Sequence, residues 1–434
     1  MSDTVNIIGA GLAGCEAAYQ LSRRGIAVRL YEMRPGKMTP AHTTDGFAEL
    51  VCSNSLRSDR MENAVGLLKE EMRRLDSLVM AAADATKVPA GGALAVDRKK
   101  FSAYITAAIE DSPNVEIIRR EITDLEMLTG KTIVATGPLT SDALADYLEK
   151  LTGEHLHFFD AAAPIVSADS IDMEKVFEYS RYGRGSDYLN CPLSQEEYLS
   201  FYRELVGAER ALLHEFEKAD IFEGCMPVEI MAGRGVDTLR FGPMKPVGLT
   251  DPRTGAEPYA VVQLRKEDEQ GTMYNLVGFQ TNLKIGEQKR VFGMIPGLER
   301  AEYLRYGAMH RNTFINSPRL LDGHYRLRDN EEIYFAGQMT GVEGYVESAS
   351  SGLLAGLFAA CDVLGREKPV FSDKTAIGAL AKYVSNGSNT SFQPMNVNFG
   401  IMQPADKRFR KKADKNRYIA SRALEEIEKA GNWR

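Results

Sequence analysis

The chain opens with an apolar run that ends in glycines. Residues 5–14 read V-N-I-I-G-A-G-L-A-G, and an alanine-rich stretch with helical spacing follows to about Arg24. A second apolar run covers Ala27 to Tyr31 and ends at Glu32. A strand that enters a helix through a glycine-rich turn, followed by a second strand with an acid at its end, is typical of a dinucleotide-binding β-α-β unit. We therefore predict that a dinucleotide binds at this turn.

The three glycines of the turn have separate expected roles. Gly9 allows the tight turn, Gly11 lets backbone N–H groups approach a pyrophosphate, and Gly14 lets the helix pack closely on the strand. The helix N-terminus then faces the phosphates, and the acid accepts hydrogen bonds from ribose hydroxyls. The predicted cofactor contacts of this unit are Gly9, Ala10, Gly11, Leu12, Ala13, Gly14 and Glu32. The motif alone does not decide which dinucleotide binds.

Two later apolar runs are predicted to join the same sheet. Residues 131–137 read K-T-I-V-A-T-G, and the run 333–336 leads through a glycine-rich segment into an apolar helix at 353–364. A glycine-rich approach to a helix N-terminus suits an anion or a carbonyl. The residues expected to pass close to the ligand at the ends of these runs are Thr136, Gly137, Gly337 and Gln338.

The stretch between these runs has a different pattern. Helical spacing covers 193–217, with S-Q-E-E at 194–197 as the predicted start. Strand-like runs at 260–264 and 275–281 follow later, and D-P-R-T-G at 251–255, between two apolar runs, predicts a hairpin turn. A second G-x-G-x-x-G that opens a helix is absent from the sequence. We predict an α/β fold without a separate nicotinamide-binding Rossmann domain. Its expected parts are a discontinuous dinucleotide-binding domain at 1–200 and 305–434 and an inserted α/β domain at 201–304.

Composition limits the class of protein. The chain has 434 residues, of which 44% are hydrophobic and 26% charged, as in soluble globular proteins of two domains. We see no apolar run that approaches the ~18 residues of a membrane helix, and the first strand begins too early for a signal peptide. We therefore expect a cytoplasmic protein that does not contact a membrane. The five cysteines are far apart and odd in number, which argues against a disulfide framework or a zinc site.

The net charge of -7 indicates that any nucleic acid must bind at a local basic patch. The best candidate is the tail at 407–430, which begins K-R-F-R-K-K-A-D-K-N-R and then becomes helical. A charge run of this kind is more often a solvated helix face. Against an acidic chain, this run is still the strongest predicted phosphate-contacting surface.

Two cysteines have neighbours that do not suggest a core. Cys52 stands in E-L-V-C-S-N-S-L, and Cys225 stands between a glycine and M-P in a predicted loop of the insertion. A reduced cysteine is usually a small buried hydrophobe, but loops carry functional groups more often than cores do. His310, in M-H-R-N-T, lies where the insertion returns to the first domain, and sites often form at such seams. The remaining cysteines are expected to be structural: Cys15, Cys191 and Cys361.

From the first strand to about Gly400 the chain resembles one family. The motifs that carry the resemblance are G-A-G-L-A-G at 9–14, E-M-R-P at 32–35, A-H-x-T-D at 41–45, V-C-S-N-S-L at 51–56, V-P-A-G-G-A-L-A-V-D-R at 88–98, Y-L-N-C-P at 188–192, F-G-P-M-K-P-V-G-L at 241–249, M-H-R-N-T at 309–313 and G-V-E-G-Y-x-E-S-A at 341–349. They are similar to the bacterial folate- and FAD-dependent tRNA (uracil-5-)-methyltransferases, the TrmFO family.

The resemblance implies a reaction and its cofactors. The implied fold is an FAD-binding Rossmann-type domain of the glutathione-reductase kind. FAD is the expected reductant, NADPH or NADH its source of electrons, and 5,10-methylenetetrahydrofolate the carbon donor. The expected substrate is the T arm of tRNA, in which uridine-54 becomes 5-methyluridine. No obligate protein partner is expected, and the oligomeric state stays open.

The resemblance also assigns roles to residues. Cys225 matches the nucleophile that adds to uracil C6, an addition that makes C5 reactive. Cys52, beside the flavin, matches the base that removes the C5 proton. His310 matches the residue that stacks over the folate, with Glu343 and Tyr345 as further contacts. Gly337 and Gln338 stand where relatives of this fold carry Gly-Asp, so backbone groups are expected to replace that carboxylate. The expected RNA contacts are Lys407, Arg408, Arg410, Lys411 and Lys412.

Other interpretations differ in what they require. The larger FAD-dependent wobble-uridine modifier of the same fold carries a long helical C-terminal extension, whereas this sequence stops at residue 434. A flavin disulfide reductase needs a C-x-x-C motif, which the five widely spaced cysteines do not form. An RNA-binding flavoprotein without turnover has no use for two loop thiols. A paralogue that acts on ribosomal RNA would share the same core and stays open. Because Cys225 comes from the insertion, we also expect the insertion to close when tRNA binds.

Overall fold

The computed structural model describes residues 4–153, 156–183, 185–211, 226–389 and 392–430, with 156–160 and 310–312 described by their backbone alone. The strands are β1 (Thr4–Ile8), β2 (Ala27–Tyr31), β3 (Ser55–Ser58), β4 (Lys87–Val88), β5 (Ala93–Val96), β6 (Val115–Ile118), β7 (Thr132–Val134), β8 (Leu156–Ala161), β9 (Ile165–Ser167), β10 (Phe177–Glu178), β11 (Tyr188–Leu193), β12 (Ala260–Lys266), β13 (Met273–Leu276), β14 (Tyr303–Arg305), β15 (Met309–Phe314), β16 (Arg326–Leu327) and β17 (Asn330–Phe335). The helices are α1 (Leu12–Ser22), α2 (Ala64–Arg74), α3 (Leu78–Ala85), α4 (Arg98–Glu110), α5 (Asp142–Thr152), α6 (Gln195–Gly207), α7 (Val228–Ala232), α8 (Thr238–Phe241), α9 (Ile285–Phe292), α10 (Ser317–Leu320), α11 (Tyr345–Leu364), α12 (Ala376–Ser385) and α13 (Lys412–Ala430).

A six-stranded sheet in the order β16-β17-β7-β1-β2-β6 forms the centre of the first domain. Its strands are parallel except for β16, which pairs antiparallel with β17. The four strands predicted from apolar runs, β1, β2, β7 and β17, lie side by side. Their carboxyl ends therefore meet at one edge, where ligands of open parallel sheets bind. The prediction of an α/β fold of this type is confirmed.

Helices α1 and α11 pack directly against each other because glycines in α11 face alanines in α1. A Cβ added at Gly352 would lie 2.2 Å from the carbonyl oxygen of Ala13, and one at Gly356 would lie 2.7 Å from the Cα of Ala17. Helix α11 is also long and apolar enough to cross a membrane, contrary to our expectation that no segment reaches this length. However, 89% of its most apolar window is buried inside the protein, as in the core helix of a soluble domain.

A second sheet, in the order β10-β11-β12-β13-β9-β14, is antiparallel throughout. Its apolar face packs on α6, α7 and α9 around Phe201, Phe279 and Phe292. Three of its strands (β9, β10 and β11) precede residue 201, where the sequence suggests that the insertion begins. The sheet therefore extends from Ile165 to Arg305. The sequence did not reveal its start because β9 and β10 are too short to show apolar periodicity.

The predicted start of the long helix in this part is confirmed. The Ser194 hydroxyl accepts a hydrogen bond from the N–H of Glu197, whose carboxylate accepts from the backbone N–H of Ser194. This capping box fixes the first turn of α6. The helix ends at Gly207, and the part predicted at 212–217 lies outside the described residues. The D-P-R-T-G turn closes through a bridge between Asp251 and Ala256, as predicted.

Two small sheets connect these parts. One is the antiparallel ribbon β8-β15, and the other is the sheet β3-β5-β4, which follows the Cys52 loop. In the ribbon, Ala161 is paired with Met309 and Asp160 with His310. The ribbon therefore brings the predicted folate residue His310 to the junction between the two larger sheets.

Candidate functional site

A cleft of about 560 Å³ opens at the carboxyl edge of the parallel sheet. Four of the predicted cofactor residues line it: Gly9, Gly11, Glu32 and Thr136. Gly9 has a φ of +100°, and a Cβ there would lie 2.7 Å from the Ala135 carbonyl oxygen. The turn thus needs glycine for both its backbone angle and its contact with β7.

The other two glycines of the motif have different surroundings. A Cβ at Gly14 would lie 1.8 Å from the Gly9 carbonyl oxygen, so only glycine allows this approach of helix to strand. A Cβ at Gly11 would meet no described atom within 4 Å, which leaves open space in front of the turn. Gly11 is also the N-cap of α1, and among the described residues no side chain caps it. The first N–H groups of α1 are consequently available to a pyrophosphate.

Glu32 sits at the end of β2 with its carboxylate fixed by backbone and side-chain donors. It accepts hydrogen bonds from the N–H of Ala10 at 3.0 Å and from the N–H and Nε of Arg34, both at 3.0 Å. Burial opposes the charge of Glu32, but the Arg34 guanidinium and these N–H groups hold its pKa below the ordinary value. Glu32 is therefore ionised at neutral pH and suits a ribose hydroxyl.

The remaining predicted cofactor residues lie at the same edge. Thr136 hydrogen-bonds Thr140 at 2.6 Å, and Gly137 follows with a φ of +69°. At the end of β17, the N–H of Gly337 donates to Ser351 in α11 at 2.7 Å, and its Cα lies against Ala13. The side chain of Gln338 points the other way and donates to Glu343 at 2.7 Å. At this point the backbone of Gly337, and not the side chain of Gln338, therefore faces α1.

The cleft fits an adenine dinucleotide of the kind the motif predicts. Open space lies before Gly11, uncapped N–H groups point to it, and an ionised carboxylate stands at the next strand. Sequence reasoning missed several lining residues from the following loops: Thr39, His42, Arg120, Thr140 and Ser141. Burial, followed by Arg34, lowers the pKa of His42 to about 4, so its ring is neutral at neutral pH.

Cys52 lies in a loop that both domains hold in place. Its thiol is half-buried and donates to the Ala161 carbonyl at 3.8 Å. The phenol oxygen of Tyr345 accepts hydrogen bonds from the backbone N–H of Cys52 at 2.7 Å and of Ser53 at 3.2 Å. Arg98 donates to the Cys52 carbonyl oxygen at 3.2 Å, and Arg305 donates to that of the preceding residue. The loop is therefore fixed on both sides of its sulfur.

A third arginine comes from the second sheet. Arg265 in β12 donates from Nε to the Asn54 side chain at 2.9 Å and from its other end to the Ser53 hydroxyl at 2.7 Å. The Asn54 amide in turn donates to the carbonyl oxygen of Lys266 at 2.8 Å. These bonds join β12 to the Cys52 loop, and they could not be predicted from Arg265 alone.

The three arginines bring positive charge to the thiol. Burial opposes the charge of Arg98, but Glu267 holds its pKa above the ordinary value. Burial lowers the pKa of Arg265 and of Arg305. A negative charge on Cys52 acts to raise the pKa of each of the three arginines. Guanidinium groups stay protonated at neutral pH. Neighbouring cations of this kind stabilise a thiolate, the reactive form of cysteine.

The predicted folate residues surround the same loop. Burial raises the pKa of Tyr345 above its ordinary value, so the phenol is neutral. Its hydroxyl is occupied by the Cys52 loop, which leaves the ring for contact with a ligand. Glu343 is 5% exposed and accepts from Gln338. The backbone of His310 lies in the ribbon next to Met309, the partner of the Ala161 that accepts from Cys52. Its side chain lies outside the described residues.

Cys225 also lies outside the described residues. Of the cysteines expected to be structural, Cys15 and Cys191 are fully buried and Cys361 is 3% exposed. Burial raises the pKa of all three, which keeps them as thiols. The five predicted RNA contacts of the tail are exposed. Phe409, which lies between them in the sequence, packs on Tyr418 of α13, and the centroids of the two rings are 5.3 Å apart.

The chain was compared with known proteins. A sequence profile described as "Glucose inhibited division protein A" matches residues 4–367. Proteins named methylenetetrahydrofolate--tRNA-(uracil-5-)-methyltransferase TrmFO are 63% identical in Acetivibrio thermocellus and 60% identical in Listeria monocytogenes. These matches cover 98% of both chains in the first case and 99% in the second. The structure of Aquifex aeolicus GidA matches with a TM-score of 0.72 and 16% identity, over 99% of this chain and 73% of that one.

The three comparisons match the same main parts of this chain. Profile, relatives and solved structure all cover the parallel sheet, the second sheet and the Cys52 loop. At 16% identity, the GidA structure supports the fold alone. The relatives at 60–63% identity over nearly the full length show that this chain belongs to the TrmFO family.

Proposed function

We propose that this chain is an FAD-dependent methylenetetrahydrofolate–tRNA (uracil-5-)-methyltransferase that forms 5-methyluridine at uridine-54 in the T loop. The observation that carries the proposal is the position of Cys52. Its thiol touches the ribbon that bears His310, and Arg98, Arg305 and Tyr345 hold the loop around it. The names of relatives that match over 98–99% of the chain support this activity.

Cys52 is the base of the proposed reaction. Methylation at C5 of uracil requires that the C5 proton leave once the new carbon bond has formed, and a positioned side chain must accept it. The Cys52 sulfur is suited to this because three guanidinium groups favour its thiolate form. The hydrogen bonds from its backbone N–H to Tyr345 and from Arg98 to its carbonyl fix the direction of the side chain.

Cys225 is the nucleophile that adds to C6, as the resemblance implies. The chain that follows it is held near Cys52. The N–H of Val228 donates to the Gln280 carbonyl at 2.7 Å, and the N–H of the next residue, Thr281, donates to the Ala162 carbonyl at 3.3 Å. Ala162 follows the Ala161 that accepts from Cys52. Cys225 is three positions before Val228, which limits the distance between their Cα atoms to ~11 Å. We propose that Cys225 and Cys52 perform their different tasks in one site.

The other proposed contacts follow from the geometry of the cleft and of the Cys52 loop. The N-terminus of α1 binds the pyrophosphate of FAD, Glu32 its ribose, and the backbone at Gly337 and Gln338 its flavin end. When bound, FAD supplies the electrons that convert the transferred methylene into a methyl group. Glu343 and the rings of His310 and Tyr345 hold the folate.

The tail supplies the RNA surface in this proposal. Its exposed basic residues precede or begin α13: Lys407, Arg408, Arg410, Lys411 and Lys412. The Lys407 ammonium lies 4.2 Å from the centroid of the Tyr418 ring, which holds the start of this segment on α13. We also propose NADPH or NADH as the external electron source and the cytoplasm as the location of the enzyme.

A trapped adduct tests the function. We would incubate the enzyme with a T-arm hairpin that carries 5-fluorouridine at the position of uridine-54. Fluorine at C5 cannot leave as a proton, so a covalent protein–RNA adduct is expected on a denaturing gel. Cys225→Ala should abolish the adduct, and Cys361→Ala, which removes a core thiol, should retain it. An undiminished adduct in Cys225→Ala would refute the assignment of the nucleophile.

The carbon donor gives a second, independent test. Methylenetetrahydrofolate with NADPH or NADH should support methylation of a T-arm transcript, and S-adenosylmethionine should not. If S-adenosylmethionine alone supported methylation, the proposed reaction would be wrong, even if the adduct with 5-fluorouridine formed. Mass spectrometry of nucleosides from the transcript measures both outcomes.

A further inference from the structure

A groove outside the cleft and the Cys52 loop runs along the first domain. It encloses about 1210 Å³, open solvent included, and lies between the N-terminal turn of α2, the first turn of α13 and the loop 397–400. Three cationic side chains line it, from separate parts of the chain: Arg57, Lys412 and Lys415. The only acid among its lining residues in the described chain is Glu62, whose carboxylate already pairs with Arg417 at 3.5 Å. The groove is therefore positively charged in a chain that is acidic as a whole.

The two lysines are available to a ligand. Both are exposed on the first turns of α13, three residues apart and thus on one face of the helix. Within the described part of the chain, neither ammonium group lies within 4 Å of a carboxylate, whereas Lys429 at the far end of the same helix pairs with Glu426 at 2.8 Å. An unpaired lysine keeps its full charge for a mobile anion.

Arg57 is held at the inner wall of the groove. Its guanidinium pairs with the fully buried carboxylate of Glu347 in α11, yet 38% of its side chain stays exposed. The backbone of Arg57 has a φ of +62°, an uncommon angle for a residue with a side chain. The surrounding sheet must maintain this conformation, which directs the exposed part of a tethered cation into the groove.

The start of α2 adds to the same wall. The side chain of Asn63, its N-cap, donates to the Ser58 hydroxyl at 2.8 Å and, among the described residues, does not cap the helix. Ala64 and Val65, the first two helical residues, line the groove. Their N–H groups add a positive partial charge to that of the three side chains.

The groove is connected to the Cys52 site through one short strand. Arg57 is five positions after Cys52, which limits the distance between their Cα atoms to ~18 Å. Tyr345, which holds Cys52, and Glu347, which holds Arg57, both belong to the first turn of α11. An RNA strand whose uridine reaches Cys52 has its adjoining phosphates within reach of the groove.

We infer that this groove binds phosphate groups of the RNA backbone beside the nucleotide that is methylated. The inference rests on the proposed function and adds Arg57, which lies outside the tail, and Lys415, which was not among the five predicted RNA contacts. Lysine and arginine side chains that neutralise phosphates position a nucleic acid without reading its sequence. The groove thus sets where the RNA lies, while the Cys52 site receives the uridine.

Neutral substitutions of the lysines test the groove without disturbing the core. The double variant Lys412→Gln/Lys415→Gln is compared with Lys429→Gln, which removes a paired lysine from the same helix. We expect the dissociation constant for tRNA to rise on the order of tenfold in the double variant. The slope of log K against log salt should become shallower by roughly 1.4 to 1.8, because each lost contact contributes 0.7 to 0.9. Lys429→Gln should bind as the unaltered enzyme does.

Two results would overturn the inference. One is an unchanged affinity and salt slope in the double variant. The other is unchanged tRNA affinity with a raised KM for methylenetetrahydrofolate, which would assign the groove to the acidic tail of folate. The adduct with 5-fluorouridine separates this question from the proposed function. If the unaltered enzyme forms no adduct but its tRNA affinity still depends on the groove, the reaction fails and the groove stands.

Discussion

At the scale of single residues, the Cys52 loop depends on groups that are far apart in the sequence. Arg98 comes from α4, Arg265 and Arg305 come from two strands of the second sheet, and Tyr345 comes from α11. The arginines share no local spacing, so their convergence could not be predicted. Arg98 alone carried a signal, since it ends the V-P-A-G-G-A-L-A-V-D-R motif that resembles the family.

Removal of Arg305 should make Cys52 less reactive. Arg305 donates to the Val51 carbonyl and is not needed to balance a buried acid, unlike Arg98 beside Glu267. In Arg305→Met, the rate of Cys52 alkylation by iodoacetamide at pH 7 should fall several-fold because less thiolate is present. Arg305→Lys, which keeps the charge, should recover much of the rate. Peptide mass spectrometry measures alkylation at Cys52, and equal rates in all three proteins would contradict the electrostatic role.

Glu71 gives a pH-dependent prediction. It is fully buried in α2 and accepts hydrogen bonds from the N–H groups of Ala376 and Ile377 at the start of α12. Burial, opposed by these N–H groups, raises its pKa to about 8. The folded protein thus binds this proton more tightly than the unfolded chain, whose pKa is near 4.5. Its contribution to stability is fully present below about pH 4.5 and is lost as pH rises to 8.

Glu71→Gln should remove this dependence. A glutamine keeps an oxygen acceptor for α12 but does not titrate, so the free energy of unfolding should fall less between pH 5 and pH 8 in the variant. Each unit of difference between the two pKa values corresponds to about 1.4 kcal/mol. Urea unfolding at several pH values measures the effect. Parallel pH profiles of the two proteins would show that Glu71 does not titrate in this range.

At the scale of elements, glycines and strand ends made much of the site predictable. The G-A-G-L-A-G turn, β2 with Glu32, and the ends of β7 and β17 all lie where their local patterns indicate, because each pattern describes a strand and the turn after it. The start of the second sheet was not visible. The strand β9 has three residues and β10 has two, too few to show alternation. We propose that the second domain begins near Ile165 rather than at 201.

The contact of α1 with α11 should be sensitive to one methyl group. A Cβ at Gly352 would lie 2.2 Å from the Ala13 carbonyl oxygen, so Gly352→Ala must push α11 away from the turn that binds FAD. We expect a loss of stability of about 1–3 kcal/mol and weaker FAD retention. Gly286→Ala in α9, where no described atom lies within 4 Å, is the matched control and should be neutral or slightly stabilising. Thermal unfolding and the ratio of flavin to protein absorbance measure both effects.

At the scale of the whole molecule, the two domains share a dense set of polar contacts. The pair Arg98–Glu267 and the bonds of Arg265 to Ser53 and Asn54 join the second sheet to the first domain around Cys52. A movement of the entire second sheet would have to break these buried contacts. Closure of the insertion over tRNA therefore has to preserve this junction, because breaking it would require a large free energy.

Closure itself stays a prediction that scattering can test. Small-angle neutron scattering with the RNA contrast-matched reports the protein alone in the complex. We expect the radius of gyration of the protein to decrease when T-arm RNA binds, as the insertion closes and brings Cys225 to Cys52. Identical protein profiles with and without RNA would contradict closure. A hairpin of reversed sequence serves as the control for nonspecific binding.

The pairing of β7 with β17 has a consequence for how the chain is made. Thr132 in β7 is paired with Ile333, roughly 200 residues later. At 5–20 residues per second, a ribosome needs roughly 10 to 40 s to supply the partner strand. During that time one edge of β7 lacks its neighbour, so the nascent chain has no complete cofactor cleft. The strand has only three residues, and such a short edge offers little template for pairing with another chain. Cofactor loading thus belongs to the end of synthesis, after β17 and α11 have left the ribosome.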